Sequence, residues 1–545
     1  MFTLLSLAQC AQIKHDHLNA WQLMGQEKKC TILFFRRQTV GYGLWLFKMF
    51  LYFWRRSKMK KFALFLSVAC LVFAVQMAFA EVKLPALIGD NMVLQRDLTN
   101  TLWGWADVGE EIKVEFNGQT KTTKADDAGK WSLKLDPVPF GGPFVMKITG
   151  KNRIELDNIL VGDVWVCSGQ SNMQWSVRLC NDPENEIANA NYPNIRLITV
   201  PLASSSTPKD DFDGKWVECS PETIPDFSAV AYYFGRKIHQ ERNIPIGLLH
   251  SSWGGSSCET WINPDVVAQY KDYEEIMKRK AAAEVQSPAG GDNQNAGYLY
   301  NAMIVPIKNY GIKGAIWYQG ETNAGRAYQY RTLFPLMIQN WREEWRQGDF
   351  PFYFVQLANF MAVKDQPSES AWAELREAQS MTAQSVRNTG EAVIIDIGDA
   401  DDIHPGNKQD VGLRLALLAL ARNYREPPGA GMPPAPSEGP RFQSMKIEGN
   451  KAIISYRFFT ANGLKTKDGG AVKGFAIAGA DRKFHWADAK IDGMNVVLTC
   501  PAVPNPVAVR YAWADNPACN LYNGADLPAA PFRTDLWPGV TIDNR

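Results

Sequence analysis

The chain has 545 residues, 46% of them hydrophobic and 12% aromatic, with 58 Lys and Arg against 57 Asp and Glu. That length exceeds one ordinary core and predicts two or three domains of a globular protein. No 18-residue uncharged apolar run occurs after position 80, which excludes a transmembrane body from that part of the chain.

The first 80 residues read separately from the fold. Met59-Lys60-Lys61 forms a basic start, Phe62 to Phe73 an apolar stretch, and Ala78-Phe79-Ala80 an A-x-A cleavage site before Glu81. The expectation is a signal peptide at 59–80 and an exported protein, periplasmic or extracellular. Residues 1–58 show no sustained period and are read as a mis-assigned extension upstream of a start at Met59. The rival reading, an anchor at Tyr42 to Trp54, is interrupted by Lys48. The first 80 residues hold 11 of the basic and 2 of the acidic residues, so the remainder carries a net charge of −8. With no Lys/Arg run, that charge excludes a nucleic-acid partner. Six cysteines remain, and export makes disulfides possible without fixing their pairing. Four histidines and no C-x-x-C argue against zinc, so no metal and no cofactor is expected.

From Val82 to about Leu160 short apolar alternations recur, as in Thr101–Trp105, Ile112–Phe116 and Trp131–Leu135. Asn117-Gly118 is a hairpin signal and Gly141-Gly142-Pro143 another turn, so 81–160 is expected to be a small β-sandwich. From 161 to 425 strands alternate with amphipathic helices. The strands are expected at Val161–Cys167, Ile246–His250, Ala315–Tyr318, Phe352–Leu357 and Ala392–Ile397, with helices such as Ala229–Gln240 and Val411–Asn423. This texture predicts an α/β domain with a parallel sheet covered on both faces. A Pro-rich linker occupies 426–440. Alternation returns in Lys451–Tyr456 and Val507–Tyr511, predicting a second β-domain over 441–545.

Ligands of a parallel α/β sheet bind beyond the carboxyl ends of its strands. Four polar clusters qualify, beginning at Ser168, Ser251, Gln319 and Asp399. A serine nucleophile needs a nearby base, and the base needs a carboxylate to hold its tautomer. His239 lies in a charged helix, His485 in the last β-domain, and His250 has no carboxylate beside it. His404 follows Asp401 by three residues, a spacing that lets one short turn supply both groups. Ser171 lies in Gly-Gln-Ser-Asn after a buried strand, where glycine permits a sharp turn. Gly254-Gly255 is a source of a backbone oxyanion donor at Gly255, and the amides of Gln319 and Asn323 are alternatives, with the choice left open. Glu321 reads as a loop brace. Trp175, Trp253 and Trp261 are placed to stack on a sugar, and Arg178 or Arg326 to meet a carboxylate.

Two motifs are discounted. Ser206-Thr207-Pro208-Lys209 has the S-x-x-K form but a proline where a helix should open. The aspartates at 396, 399, 401 and 402 lack the glycine and distal glutamate of a calcium loop.

The blocks Gly169-Gln170-Ser171-Asn172-Met173, Ser251-Ser252-Trp253-Gly254-Gly255, Trp317-Tyr318-Gln319-Gly320-Glu321-Thr322-Asn323 and Asp401-Asp402-Ile403-His404-Pro405, in that order, resemble those of the sialate O-acetylesterase family of SGNH hydrolases. Asp90–Gln95, Leu299–Ile304 and Val509–Trp513 extend the likeness over nearly the whole chain after residue 80. The resemblance implies a flavodoxin-like three-layer core with parallel sheet and appended β-domains. It also implies a Ser-His-Asp mechanism on Ser171, His404 and Asp401, no metal, and an acetylated carbohydrate as substrate. The third block departs from the Gly-x-Asn-Asp form of the wider group, so a side-chain oxyanion donor does not transfer. Acetylxylan esterases share similar blocks, which keeps other glycan acetates open. A glycosidase using Glu321 with Asp401 and a glycan-binding module are the rival classes.

Overall fold

Alternating inward apolar and outward charged residues set the first strands of the computed structural model, which describes residues 81–286, 293–424 and 436–545. The expected signal peptide, the extension before it and most of the Pro-rich linker lie outside the described residues. Strands β1 (Val93–Gln95), β2 (Asn100–Trp105), β3 (Glu111–Phe116), β4 (Gln119–Lys124), β5 (Lys130–Leu135), β6 (Gly141–Thr149) and β7 (Arg153–Gly169) follow in order. Leu102, Ile112, Val114, Trp131, Leu133 and Leu135 point inward, with Thr101 and Trp103 flanking Leu102 and Lys, Glu and Ser between the others. β2 pairs with β5, while β3 pairs with β4 and β6, and β6 with β7. The β3–β4 turn is Asn117-Gly118, at φ 45° and 77°, as a two-residue hairpin requires. The turn expected at Gly141-Gly142-Pro143 is instead the bulged start of β6. A Cβ on Gly142 would stand 2.8 Å from the Ile159 carbonyl, so glycine lets β6 press against β7 there.

β7 runs through the boundary expected at 160. Its first half pairs with β6 and its second half enters the central sheet, where every residue is buried. The central strands are β8 (Tyr192–Thr199), β9 (Val217–Cys219), β10 (Ile246–Ser252), β11 (Gly314–Tyr318), β12 (Phe352–Val355) and β13 (Thr389–Ala392). Their order is β13-β12-β11-β7-β10-β8-β9, parallel throughout except for the edge strand β9. From β7 the chain goes out to β8, returns to β10 beside β7, then crosses to β11 on the other side. The switch point therefore falls between the carboxyl ends of β7 and β11, where a ligand crevice is expected.

Helices α1 (Ala229–Arg242), α2 (Ala327–Trp345), α3 (Ala371–Ser385) and α4 (Lys408–Asn423) pack as two pairs, α1 with α4 and α2 with α3. Trp165 of β7 meets Phe234 of α1, while Trp317 of β11 meets Phe334 and Trp341 of α2. Trp317 is level with Ser168, three residues beyond Trp165, so the two indoles point to opposite faces of the sheet. Both faces are thus covered by helices.

Two strand expectations shift. The fifth strand ends at Ala392, and the apolar run after it leaves the sheet: Val393 and Ile395 pack into the core of the C-terminal β-region, while Ile394 and Ile397 face the central core. β8 is not legible as a strand in the sequence, because it holds Pro193 and Arg196. The Arg196 guanidinium is buried but satisfied by the carbonyls of Asn91, Pro193 and Asn158. The C-terminal region contains two four-stranded antiparallel sheets, one built on Lys451–Tyr456 and Asn495–Thr499, the other on Phe475–Ala478 and Ala508–Tyr511. Cys167, Cys180, Cys219, Cys258, Cys500 and Cys519 are free thiols. Among the described residues no helix is long and apolar enough to cross a membrane.

Candidate active site

The end of β7 is shaped by glycine. Gly169 has φ 145°, and a Cβ there would lie 2.1 Å from the Tyr318 carbonyl, so only glycine lets the ends of β7 and β11 close on each other. Gln170 N–H then donates to Tyr318 O at 2.9 Å, and its side-chain Oε1 accepts the N–H groups of Gly320 and Thr322. The chain turns at once into a one-turn helix, Ser171–Gln174, of which Ser171 is the first residue. Ser171 Oγ lies 2.8 Å from His404 Nε2, a hydrogen bond between residues 233 apart in sequence.

His404 sits in an Asx turn closed by Asp402, whose Oδ1 accepts the His404 N–H at 2.8 Å. The same oxygen is 3.5 Å from Nδ1, an ion-pair distance longer than a hydrogen bond. The carboxylate expected beside the imidazole was Asp401. The structure brings Asp402 there instead, because the turn folds residue 402 back over residue 404. Asp401 is exposed, and its N–H donates to Asp399 Oδ1. The imidazole stacks on Trp175, with centroids 4.8 Å apart and planes 10° from parallel. Partial burial holds the His404 pKa below the ordinary imidazole value, opposed by Asp402 and assisted by the nearby Lys408 ammonium.

Gly254 lies against the serine: a Cβ on it would stand 3.2 Å from Ser171 Cβ. Its N–H donates to Gln174 Oε1 at 2.7 Å. Gly255 has φ 74°, its carbonyl accepts from Thr322 Oγ1 at 3.1 Å, and its N–H has no acceptor among the described residues. The two side-chain amides named as oxyanion donors are engaged elsewhere. Gln319 Nε2 donates to Asn323 Oδ1 at 2.6 Å and to Ser256 O, and its Oε1 accepts from Tyr330. Asn323 Nδ2 donates to Glu259 Oε2 at 3.0 Å. Both residues are fully buried braces of the loop after β11.

The expected substrate contacts also sort by packing. Trp175 backs the imidazole. Trp253 is half-buried against the central core, and Trp261 is buried with its indole N–H on Ser256 Oγ. Arg326 donates to Glu259 Oε1 at 2.5 Å and to Gln329. Arg178 pairs with Asp226 at the surface. Among the acidic residues, Asp396 is bidentate with Arg414, and no group of three or more His, Cys, Asp or Glu among the described residues is arranged to hold a metal.

Sequence reasoning missed Asn172 and Lys408. Asn172 Nδ2 donates to Glu321 Oε1 at 2.7 Å and to Ile403 O at 3.0 Å, and its Oδ1 accepts from Lys408 Nζ at 2.7 Å. Lys408 is fully buried. The available signal was position: one residue directly follows the serine, the other opens the helix directly after the histidine loop.

Residues 161–418 match the protein-family model described as carbohydrate esterase, sialic acid-specific acetylesterase. Human sialate O-acetylesterase is 29% identical over 508 residues, an alignment covering 84% of this chain and 94% of the human protein. The mouse sialate O-acetylesterase is also 29% identical, over 516 residues covering 83% and 94%. Among solved structures, the carbohydrate acetylesterase XAC1771 from Xanthomonas citri is 40% identical, with a TM-score of 0.75 and coverage of 84% of this chain and all of that one. The chain is a carboxylic ester hydrolase of the carbohydrate esterase class, with the SGNH type of fold. Within that class it belongs to the sialate O-acetylesterase family.

Proposed function

We propose that this protein removes acetyl groups from carbohydrate by an acyl-enzyme route in which Ser171 is the nucleophile, His404 the general base and Asp402 the carboxylate that orients it. The 2.8 Å contact between Ser171 Oγ and His404 Nε2 at the switch point of the sheet carries this reading. Ser171 Oγ attacks the acetyl carbonyl carbon while His404 Nε2 takes the hydroxyl proton. The oxyanion of the tetrahedral intermediate accepts hydrogen bonds from the Gly255 N–H and from the N–H of Ser171, which as the first residue of its helix has no intrahelical acceptor. The C–O bond to the sugar breaks and the leaving oxygen takes the proton from His404. Water, deprotonated by His404, then attacks the acetyl-serine carbonyl; the C–O bond to Ser171 breaks, Ser171 Oγ takes the proton back from His404, and acetate leaves. The lowered pKa of His404 favours the neutral imidazole that both steps require.

The family match favours acetyl esters of sialic acid. The Arg326–Glu259 pair favours a second reading, neutral O-acetylated glycans such as acetylxylan, because it withdraws an arginine that would meet a sialic acid carboxylate. Acetate release from O-acetylated sialic acid, acetylated xylan and an aryl acetate, each compared with the Ser171→Ala protein, decides between them. Absence of acetate release from all three by the parent protein would remove the whole proposal. The strand order and paired helices support a flavodoxin-like three-layer core for 161–425, with β-sandwich-like regions at 81–160 and 441–545. Export by the segment 59–80 completes the reading, and amino-terminal sequencing of the secreted protein should begin at Glu81.

A further inference from the structure

The Lys408 side chain is completely buried, an environment that disfavours an ammonium unless a full set of partners meets it. Its Nζ donates to Asn172 Oδ1 at 2.7 Å and to the Pro405 carbonyl at 2.6 Å. It also lies 5.5 Å from the centre of the Trp175 ring and 5.9 Å from that of Tyr318, within cation–π range of both. Asn172 in turn donates to the carbonyl of Ile403 at 3.0 Å. The backbone carbonyls on either side of His404 are thus tied into one unit: Ile403 O to Asn172 directly, Pro405 O through the ammonium. Asn172 is the residue after Ser171. Trp175 closes the arrangement, with the imidazole stacked on the same ring that lies near the cation.

We infer that Lys408 is a positioning residue of this esterase, holding the His404 imidazole against Ser171 through Asn172, the Pro405 carbonyl and the Trp175 ring. The inference rests on the Ser171–His404 reading above. It explains how the base keeps its orientation although Asp402 is more than half exposed and 3.5 Å from Nδ1. In water such a contact is weak and screened, whereas bonds to a buried ammonium are not.

The cation also acts on the imidazole at a distance. Burial pushes the Lys408 pKa down to about 7, and Glu321, Asp402 and Cys180 pull it back up. These are the charged and titratable groups that face it: Glu321 from the segment after β11, Asp402 and His404 from the loop before α4, and Cys180 from the turn that follows Trp175. Glu321 keeps one carboxylate oxygen, Oε2, buried without a hydrogen-bond partner, so its charge bears on the site by proximity. Protonated Lys408 disfavours a proton on His404. Removing the ammonium therefore raises the His404 pKa and moves the acid limb of the rate profile to higher pH.

The test is Lys408→Met in the full chain, assayed with an aryl acetate across pH. The expected result is a fall in kcat of about tenfold or more with KM little changed, as misplacement of a base predicts, together with the upward shift of the acid limb. A lysine that served folding alone would lower the folded fraction and leave kcat per folded molecule at the parental level. A folded Lys408→Met protein with parental kcat and an unmoved limb overturns the inference. Should Lys408→Met fail to fold, Asn172→Ala, which keeps the ammonium but cuts the link, must lower kcat similarly, and an unchanged kcat there overturns it too. Turnover retained by Ser171→Ala would overturn the esterase reading itself, an outcome separate from these.

Discussion

Two serine–histidine contacts stand at the carboxyl end of the central sheet, and the shorter one is the less suited to the proposed chemistry. Ser252 Oγ is 2.5 Å from His250 Nε2, against 2.8 Å for Ser171 and His404. His250 and Ser252 are two residues apart on one strand. His250 is buried, packs edge-on to Phe227, and leaves its Nδ1 buried without a partner. Burial alone drives its pKa down to about 4. His404 is partly exposed, has Asp402 near its second nitrogen, and comes from a loop that reaches across the switch point. A catalytic pair therefore needs an open approach for a substrate and a second partner for the imidazole as well as a hydrogen bond.

The largest expected effect falls on the exposed pair. Ser171→Ala or His404→Ala should lower kcat on the order of 10³-fold or more, and the double variant should lose little beyond either single one, since the two act as a unit. Equal losses from Ser252→Ala would move the chemistry to β10.

A smaller effect separates the two aspartates. Asp402→Asn should lower kcat about 10- to 100-fold, less than the loss seen when a buried orienting carboxylate is replaced, because this one is exposed. Asp401→Asn should change kcat by less than about threefold, as Asp401 makes no bond to the imidazole. The reverse order of these two variants would restore the expectation drawn from the sequence.

That aspartate shows where sequence stops being legible. Ser171 and His404 could be brought together on paper because four histidines follow residue 80 and three have a poor position. The choice between Asp401 and Asp402 depends on which carboxylate the backbone turn folds toward the ring, and a spacing of two or three residues permits either. Gln319 and Asn323 read from sequence as alternative oxyanion donors, but amides are claimed by whatever lies across the fold, here Ser256, Tyr330 and Glu259. Lys408 is not legible in the sequence because a lysine opening a helix ordinarily faces solvent. In the fold, β10, β11, α1 and α4 were visible from their apolar patterns. β13 was displaced because Val393 and Ile395 are buried by a different sheet, a tertiary fact that hydrophobicity alone does not carry.

The pH dependence separates the two imidazoles as well. In the proposed mechanism the neutral form of His404 is the competent base, and its pKa lies below the ordinary imidazole value, so kcat/KM should stay on its plateau into mildly acid solution and fall only below that value. A profile measured with the aryl acetate checks this, and an acid limb above the ordinary imidazole value would contradict it.

The smallest effect on rate, and the clearest on stability, belongs to His250. Its folded-state pKa is depressed, so below the unfolded value the unfolded chain binds the proton that the folded one refuses. Folding stability should therefore be lost as pH falls from about 6.5 toward about 4, by on the order of 3 kcal/mol from this group alone. Replacing the imidazole by an apolar side chain of similar size, His250→Leu, leaves the Ser252 hydroxyl without its partner and should cost about 1–3 kcal/mol at neutral pH. The same change removes the titrating group. Denaturant unfolding at a series of pH values should then show a variant that is less stable than the parent at neutrality but declines less steeply on acidification. Its kcat per folded molecule should remain at the parental level, because neither Ser171 nor His404 touches the buried pair. A His250→Leu protein that stayed folded but lost turnover would mean that the short buried contact, and not the exposed one, carries the reaction.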